Sequence, residues 1–232
     1  GQKMSKSRGN VVNPDKVIAG YGADSMRLYE MFMGPLEAMK PWSMQGVEGV
    51  YRFLARLWRA VVDKDTGELD AAVKDAPADE ATLRLLNQTI KKVGDDVETF
   101  SFNTAISAMM IFVNHLGRLS VRPRRVVEKL VLIVAPFAPH IAEELWERLG
   151  HAESLAYEPW PEYDKELIKE KEIELAVQVN GKIKDRIVVS ADADEEHIES
   201  EALGREKVKA AMGGKPARKV IVARPRIVSI TT

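Results

Sequence analysis

The chain has 232 residues, of which 45% are hydrophobic and 30% are charged, a composition typical of a globular protein with one or two domains. It has no cysteine, which excludes disulfides and thiolate metal sites, and no apolar run of about 18 residues, which excludes a transmembrane helix. The formal net charge of −1 provides no argument for nucleic-acid binding, which would need local basic patches. The amino terminus lacks the apolar core of a secretory signal, and we expect a cytoplasmic protein without membrane contact.

The first distinctive segment is residues 3–10, with the sequence KMSKSRGN. A lysine ammonium is a compact charge on a flexible stem, and serine hydroxyls and glycine backbone can approach phosphate oxygens closely. Asn13 and Pro14 then predict the N-cap and first residue of a helix. The pattern predicts a mobile loop that holds a polyphosphate; the alternative is a solvated basic terminus without a ligand.

Two short helices are predicted after this loop, at 13–20 and 23–32, followed by an irregular connector at 35–43. Asp24 and Arg27 are three residues apart on the second helix, which predicts an ion pair on its surface rather than a catalytic role.

From Met44 to Gly150 apolar residues recur at helical spacing, which predicts a bundle of four or five helices with a polar loop at 63–78. His140 follows a proline at a predicted helix start and has no second ligand at metal-binding spacing, so we expect a structural role and no metal site. A turn of the bundle carries four candidate RNA contacts: Arg118, Arg122, Arg124 and Arg125.

A charged stretch, residues 163–171, predicts a linker to a second domain. Beyond it, apolar residues alternate with polar ones, and Asn180-Gly181 predicts a hairpin with a type I′ turn. Two short helices and two strands follow. The expected element order is β-β-α-α-β-β, which defines a small α+β module at 172–232.

The end of this module is strongly basic, because Glu206 is the one acid after Leu203. Basic side chains of this kind suit contacts with nucleic-acid phosphates, which position a ligand without reading its sequence. The alternative is a solvated surface. The candidate contacts in this tail are Lys215, Arg218, Lys219, Arg224 and Arg226.

Five segments resemble one protein family. KMSKS resembles the signature loop of class I aminoacyl-tRNA synthetases, and PFAPHIAEELW resembles a helix shared by the leucine, isoleucine and valine synthetases. The other segments are similar to leucyl-tRNA synthetases of the bacterial type. The resemblance covers essentially the whole chain and implies a carboxy-terminal piece of a longer enzyme, whose catalytic and editing domains precede it. The segments are GYGADSMRLYEMF at 20–32, GVEGVYRFLARLW at 46–58, PFAPHIAEELW at 136–146 and VQVNGKIKDRI at 177–187.

The resemblance implies a mainly helical multidomain protein with a small α+β module at its end. Residues 1–43 correspond to the end of the catalytic domain, 44–162 to a tRNA-binding bundle of the anticodon-binding type, 163–171 to the linker and 172–232 to a tRNA-binding module. The implied partners are tRNA(Leu), ATP and the missing amino-terminal domains of the same chain.

In this family leucine is activated with ATP and then transferred to tRNA, with Mg²⁺ expected in the full enzyme. The resemblance implies that Lys6 stabilises the departing pyrophosphate, that Lys3 is a second phosphate contact, and that Met4, Ser5 and Ser7 complete the ATP-binding loop. We expect the fragment alone to be inactive. The alternatives are an isoleucyl- or valyl-type synthetase fragment, or a non-catalytic tRNA-binding protein built from the same modules.

Overall fold

The computed structural model describes residues 2–168 and 172–232. The chain divides into two compact units, Gly1–Ile168 and Lys169–Thr232, and each has its own hydrophobic core. The first unit is helical and the second is an α+β module. Within the described ranges, no helix is long and apolar enough to cross a membrane.

Two short helices open the first unit, α1 at Pro14–Tyr21 and α2 at Ala23–Phe32. Asn13 caps α1 as predicted, since its side-chain oxygen accepts a hydrogen bond of 2.9 Å from the Asp15 backbone N–H and Pro14 occupies the first helical position. Gly22, with φ 86°, separates the two helices in a conformation that favours glycine.

The bundle contains five helices between Met44 and Gly150, a range that is fully described, and this agrees with the predicted four or five. They bury a shared core whose largest side chains include Phe53, Phe112 and Phe137, each no more than 1% exposed. Burial of this apolar surface is the main stabilising contribution to the unit. The helices are α3 Met44–Val61, α4 Glu80–Glu98, α5 Phe102–Leu116, α6 Arg124–Val134 and α7 Pro139–Arg148.

The segment predicted as a plain polar loop, 63–78, is tied to the bundle by strand pairing. Strand β1, Val73–Lys74, pairs in parallel with β2, Arg122–Pro123, and Val73 is 6% exposed. Two-residue strands are too short to show a period of two, so the sequence pattern did not reveal this pairing.

The predicted surface pair between Asp24 and Arg27 is wrong. Asp24 is 8% exposed and its carboxylate accepts hydrogen bonds of 2.8 Å from the Ile141 N–H and from His140 Nδ1. Arg27 instead donates to the Pro136 carbonyl at 3.1 Å. Asp24 therefore binds the start of α7 and Arg27 binds the turn just before it, both more than a hundred positions away in the sequence. The hydrogen bond of His140 to Asp24 agrees with the structural role that was expected.

Part of the predicted linker belongs to the first unit. Residues Lys165–Ile168 form a short helix, α8, and the Asp164 backbone N–H donates to Asn87 Oδ1 at 2.7 Å. Charged composition did not reveal this contact. The rest of the predicted linker, 169–171, lies outside the described residues.

The second unit has the predicted order β-β-α-α-β-β. Its four strands are arranged β4-β3-β6-β5, with β3 and β6 parallel and the outer pairs antiparallel. Asn180 and Gly181 both have positive φ, 48° and 79°, as a type I′ turn requires. The elements are β3 Glu172–Val179, β4 Lys182–Ser190, α9 Glu195–Gly204, α10 Glu206–Met212, β5 Lys219–Ala223 and β6 Ile227–Thr231.

The core of the second unit lies between one face of the sheet and the two helices. Leu175, Val177 and Val228 point inward from the strands and are fully buried against Ile198 and Val208 of the helices. Alternation of inward and outward side chains along the strands produces this arrangement.

Candidate phosphate loop and basic surfaces

The basic loop at the start of the chain forms one compact turn. Residues Lys6–Arg8 make a single 3₁₀ turn, in which the Arg8 and Gly9 backbone N–H groups donate to the Ser5 and Lys6 carbonyls, both at 3.1 Å. Gly9 has φ 64°, a left-handed conformation that reverses the chain after the turn.

Asn10 closes this turn, and sequence reasoning missed its role. Its side-chain oxygen accepts from the Ser5 N–H at 2.9 Å, and its amide nitrogen donates to the Lys3 carbonyl at 3.4 Å. Arg8 reaches the same carbonyl at 3.5 Å. The available signal was the pair Gly9-Asn10, because both residue types favour turns.

The loop leaves its two lysines available to a ligand. Lys3 and Lys6 are exposed, and neither has a hydrogen-bond or ion-pair partner for its ammonium group in the described part of the chain. Ser5 and Ser7 lie side by side, with 3.2 Å between their hydroxyl oxygens, and Met4 is 40% exposed. The loop therefore presents two unpaired cations and two hydroxyl groups, a set that can bind a polyphosphate.

Hydrogen bonds and ring packing fix the helices behind the loop to the bundle. Asp24 binds the start of α7 and Arg27 binds the turn before it, as described above. Tyr29 accepts a hydrogen bond from the Ser43 backbone N–H at 2.7 Å, and its ring packs edge-on against Trp42 with 4.9 Å between centroids. The support of the loop and the helical bundle thus form a continuous packed structure within the first unit.

The arginine cluster of the bundle divides into two bound and two free side chains. Arg122 donates to the Ala60 carbonyl at 3.1 Å and pairs with Asp70 at 3.2 Å. Arg124 donates to the Leu149 carbonyl and lies 3.7 Å from an Asp75 carboxylate oxygen. The two arginines that are exposed, with no protein partner among the described residues, are Arg118 and Arg125.

The five candidate side chains of the basic tail likewise include one that is bound to the protein and four that have no partner in the described part of the chain. Arg224 donates to the backbone carbonyls of Ala191 and Ala193, so its guanidinium holds two segments of the module together. Four basic side chains are exposed and have no partner among the described residues: Lys215, Arg218, Lys219 and Arg226.

One further arginine of the second unit, Arg205, forms an ion pair with another residue of the same unit. Arg205 Nε donates to Asp185 Oδ2 at 2.9 Å, and Lys207 lies 3.8 Å from the other carboxylate oxygen. The hydrogen bond from Arg205 holds the pKa of Asp185 below its usual range, and the same bond raises the pKa of Arg205.

Among the described residues, no group of three or more His, Cys, Asp or Glu side chains could hold a metal ion.

Two family models match the chain. The model described as anticodon-binding domain of tRNA ligase matches residues 79–200, and the model described as tRNA synthetases class I (I, L, M and V) matches residues 1–40. The first match includes most of the bundle, and the second includes the basic loop with helices α1 and α2.

The chain is also similar to two curated leucine–tRNA ligases. It is 51% identical to the ligase of Rhodopirellula baltica over 230 residues, which are 98% of this chain and 24% of the relative. It is 50% identical to the ligase of Sorangium cellulosum over 229 residues, 99% of this chain and 26% of the relative. The chain thus spans about a quarter of the length of these relatives.

A solved structure has the same fold over the whole chain. It is described as the ternary complex of Agrobacterium radiobacter K84 agnB2 LeuRS with tRNA and LeuAMS. The match has a TM-score of 0.80 and 31% identity, and it covers 100% of this chain and 32% of that chain.

Proposed function

The chain belongs to the family of anticodon-binding domains of tRNA ligases, and from this membership we propose that it is the carboxy-terminal part of a leucine–tRNA ligase. The complete enzyme joins leucine to tRNA(Leu) at the expense of ATP, in the cytoplasm. One observation carries the proposal: a KMSKS loop with two unpaired lysines lies in the same packed unit as an anticodon-binding helical bundle. A protein module that only binds RNA does not need a loop that binds the phosphates of ATP.

The proposed role of the loop is to hold the phosphates of ATP while leucyl-adenylate forms. In-line attack at the α-phosphate moves negative charge onto the departing pyrophosphate. Lys6 stabilises that charge in the transition state, and Lys3 is a second phosphate contact. Ser5, Ser7 and the exposed Met4 complete the ATP-binding loop. Mg²⁺ accompanies the nucleotide in the complete enzyme, and the described residues of this chain form no acidic cluster of their own to hold it.

Among the candidate residues of the two basic clusters, the proposed tRNA contacts are the exposed side chains that have no partner in the described part of the chain. Both units contribute to this surface: Arg118 and Arg125 from the bundle, and Lys215, Arg218, Lys219 and Arg226 from the module. Arg122, Arg124 and Arg224 bind carbonyl oxygens of the protein, so we assign them to the support of this surface rather than to direct phosphate contact. The bundle at 44–162 and the module at 172–232 are the proposed tRNA-binding domains.

The proposal is tested by ATP–pyrophosphate exchange with the complete ligase that contains this chain. We expect exchange with leucine and much weaker exchange with isoleucine or valine, and no exchange with the 232-residue chain alone. Charging of tRNA(Leu), with tRNA(Ile) and tRNA(Val) as controls, checks the second step. Preferred exchange with isoleucine or valine would assign the chain to another synthetase of the same class, and absence of exchange with all three would leave only RNA binding.

A further inference from the structure

The first unit contains a cleft that the proposed reaction does not use. It has a volume of about 560 Å³ and lies between the start of α2, one face of α3 and the start of α7. The side chains that give the cleft its chemical character are aromatic or basic: Tyr21, Tyr51, Trp58, Arg59 and His140.

The aromatic rings of the cleft provide an apolar surface that is partly open. Tyr21 and Tyr51 pack edge to face, with 5.7 Å between ring centroids, and Tyr51 is 47% exposed. Trp58 is half-buried, and the Arg148 guanidinium lies 5.2 Å from the centre of its ring. Tyr51 and Trp58 are seven positions apart on α3, two helical turns, so both rings lie on the same face of that helix.

A row of arginines follows the aromatic row along α3. Arg52, Arg56 and Arg59 are spaced by four and three positions, so they form a second stripe beside the first. Arg52 and Arg59 are exposed and have no partner for their guanidinium groups in the described part of the chain. Arg56 Nε is buried without a hydrogen-bond partner among the described residues. This stripe is positively charged, and none of its three guanidinium groups forms an ion pair in the described part of the chain.

The cleft itself offers no free carboxylate to oppose an anion. Asp24 is the one acid among the described residues that line it, and its carboxylate already accepts hydrogen bonds from His140 and Ile141. The carboxylate of Glu48, which is not part of the cleft lining, accepts a hydrogen bond of 3.4 Å from the Tyr21 hydroxyl. A ligand with a flat apolar ring and a negative charge therefore complements this cleft better than an apolar or cationic protein segment does.

We infer that the cleft binds one unstacked nucleotide of the bound tRNA, with its base against the aromatic rings and its phosphate beside Arg59. Proteins recognise unpaired RNA bases by stacking them on aromatic side chains, and arginine supplies the phosphate contact. The inference rests on the proposed tRNA binding and extends it, because the contacts proposed for the basic loop and the module tail are with phosphates only.

The test compares four variants of the 232-residue chain for binding to tRNA(Leu) at several salt concentrations. Tyr51→Ala should weaken binding roughly 5- to 150-fold, the range for loss of one stacked base. Because stacking releases no counterions, the salt dependence should stay unchanged. Arg59→Gln should instead reduce the log–log salt slope by about 0.7–0.9. Tyr51→Phe keeps the ring and should bind as the wild type does. Tyr157→Ala removes a tyrosine that is 89% exposed outside the cleft and is the matched control.

Chemical probing of the bound tRNA identifies the nucleotide. We expect at least one base that the wild type protects and that Tyr51→Ala leaves reactive, with the rest of the footprint unchanged. Equal affinity and equal protection in wild type, Tyr51→Ala and Arg59→Gln would overturn the inference while leaving the proposed function intact. Loss of thermal stability in Tyr51→Ala without loss of RNA affinity would also overturn it, since the cleft would then be a packing site for protein. A wild-type chain that binds no tRNA would contradict the proposed tRNA binding itself.

Discussion

Lys6 lies at the start of the single turn that shapes the basic loop, and its ammonium group has no partner among the described residues. The backbone of the turn is held by Asn10, which bonds Ser5 and Lys3, and by Gly9 in a left-handed conformation. Asn10 and Gly9 therefore set the shape of the loop, and the lysines keep their ammonium groups free for a ligand.

Lys6→Ala in the complete ligase should slow leucine-dependent ATP–pyrophosphate exchange by about 10²–10³-fold, the scale for loss of one preorganised donor to a developing anion. The KM for leucine should change little, because the loop has no proposed contact with it. Lys16→Ala, which removes an exposed lysine of α1, is the matched control. An exchange rate in Lys6→Ala equal to that of the control would exclude the proposed role.

Asp24→Ala should destabilise the first unit by about 1–3 kcal/mol, because backbone N–H groups of His140 and Ile141 would lose their acceptor at a buried position. Asp24→Asn retains one side-chain oxygen and should lose less. Urea unfolding measures both changes.

The matched control for Asp24 is Asp15→Ala, which removes an exposed carboxylate of the neighbouring helix. If Asp24→Ala unfolded at the same urea concentration as the wild type, the contact between α2 and α7 would contribute nothing to stability.

At the scale of elements, the crossing of α2 and α3 depends on a glycine. An added Cβ at Gly46 would lie 2.4 Å from Tyr29 Cε2, and that ring cannot move away easily because its hydroxyl accepts a hydrogen bond from Ser43 and the ring packs on Trp42. At Gly49, in the same helix, an added Cβ would meet no atom within 4 Å.

The two glycines therefore predict opposite effects on stability. Gly46→Ala should cost about 1–3 kcal/mol through overpacking, whereas Gly49→Ala should gain about 0.4–1 kcal/mol by reducing the entropy of the unfolded chain. Thermal or urea unfolding of the two variants, measured side by side, checks the sign of each. A stabilised Gly46→Ala variant would show that Tyr29 can move and that the close approach of the helices does not require glycine.

In the second unit, the ion pair between Asp185 on β4 and Arg205 before α10 predicts a pH dependence. Because folding lowers the pKa of Asp185, its contribution to stability is complete above the unfolded pKa of about 4 and disappears as the pH falls through the lower folded pKa. Asp185→Asn should therefore lower the urea midpoint near pH 7, and the difference from wild type should shrink as the pH falls below about 4.

The control for Asp185 is Asp192→Asn, which changes an exposed acid of the same unit whose carboxylate has no basic partner in the described residues. A wild-type advantage that stayed constant from neutral to acidic pH would show that packing of the side chain, rather than its charge, is responsible.

At the scale of the whole molecule, both units contain basic side chains that have no partner among the described residues. The chain has 34 lysines and arginines against 35 acids, so its total charge cannot attract RNA. What matters is which cations the protein leaves unpaired, and both units leave some. The tRNA affinity should therefore depend on salt through those unpaired residues that contact phosphates.

Replacement of Arg218, Lys219 and Arg226 with glutamine should weaken tRNA binding and reduce the log–log salt slope by roughly 0.7–0.9 for each phosphate that is no longer neutralised. Amino-acid activation by the complete ligase should be unchanged, because the loop is in the other unit. Binding measured at several salt concentrations gives both quantities. The charge-matched control replaces three exposed lysines of the first unit with glutamine: Lys16, Lys64 and Lys74. Equal slopes in the two triple variants would mean that the tail is a solvated surface.

The local elements could be predicted from the sequence alone. The bounds of α2 at Ala23–Phe32 and the start of α3 at Met44 agree with the prediction, as do the turn at Asn180-Gly181 and the order of the second unit. These features depend on caps, turn residues and apolar periodicity, all of which act over a few neighbouring positions. The KMSKS loop is local in the same sense, so its residues could be named before the structure was known.

The tertiary structure decided which charged side chains are free. Asp24 binds the start of α7, Arg122 binds Asp70, and Arg224 binds the carbonyls of Ala191 and Ala193, whereas composition alone presents all of them as equivalent surface charges. The aromatic cleft likewise combines α2, α3 and α7, and no sequence period joins those helices. The physical reason is that a charged group is paired only when packing brings a partner within hydrogen-bond distance. These partners lie tens to more than a hundred residues away in the sequence, so the sequence pattern does not identify them.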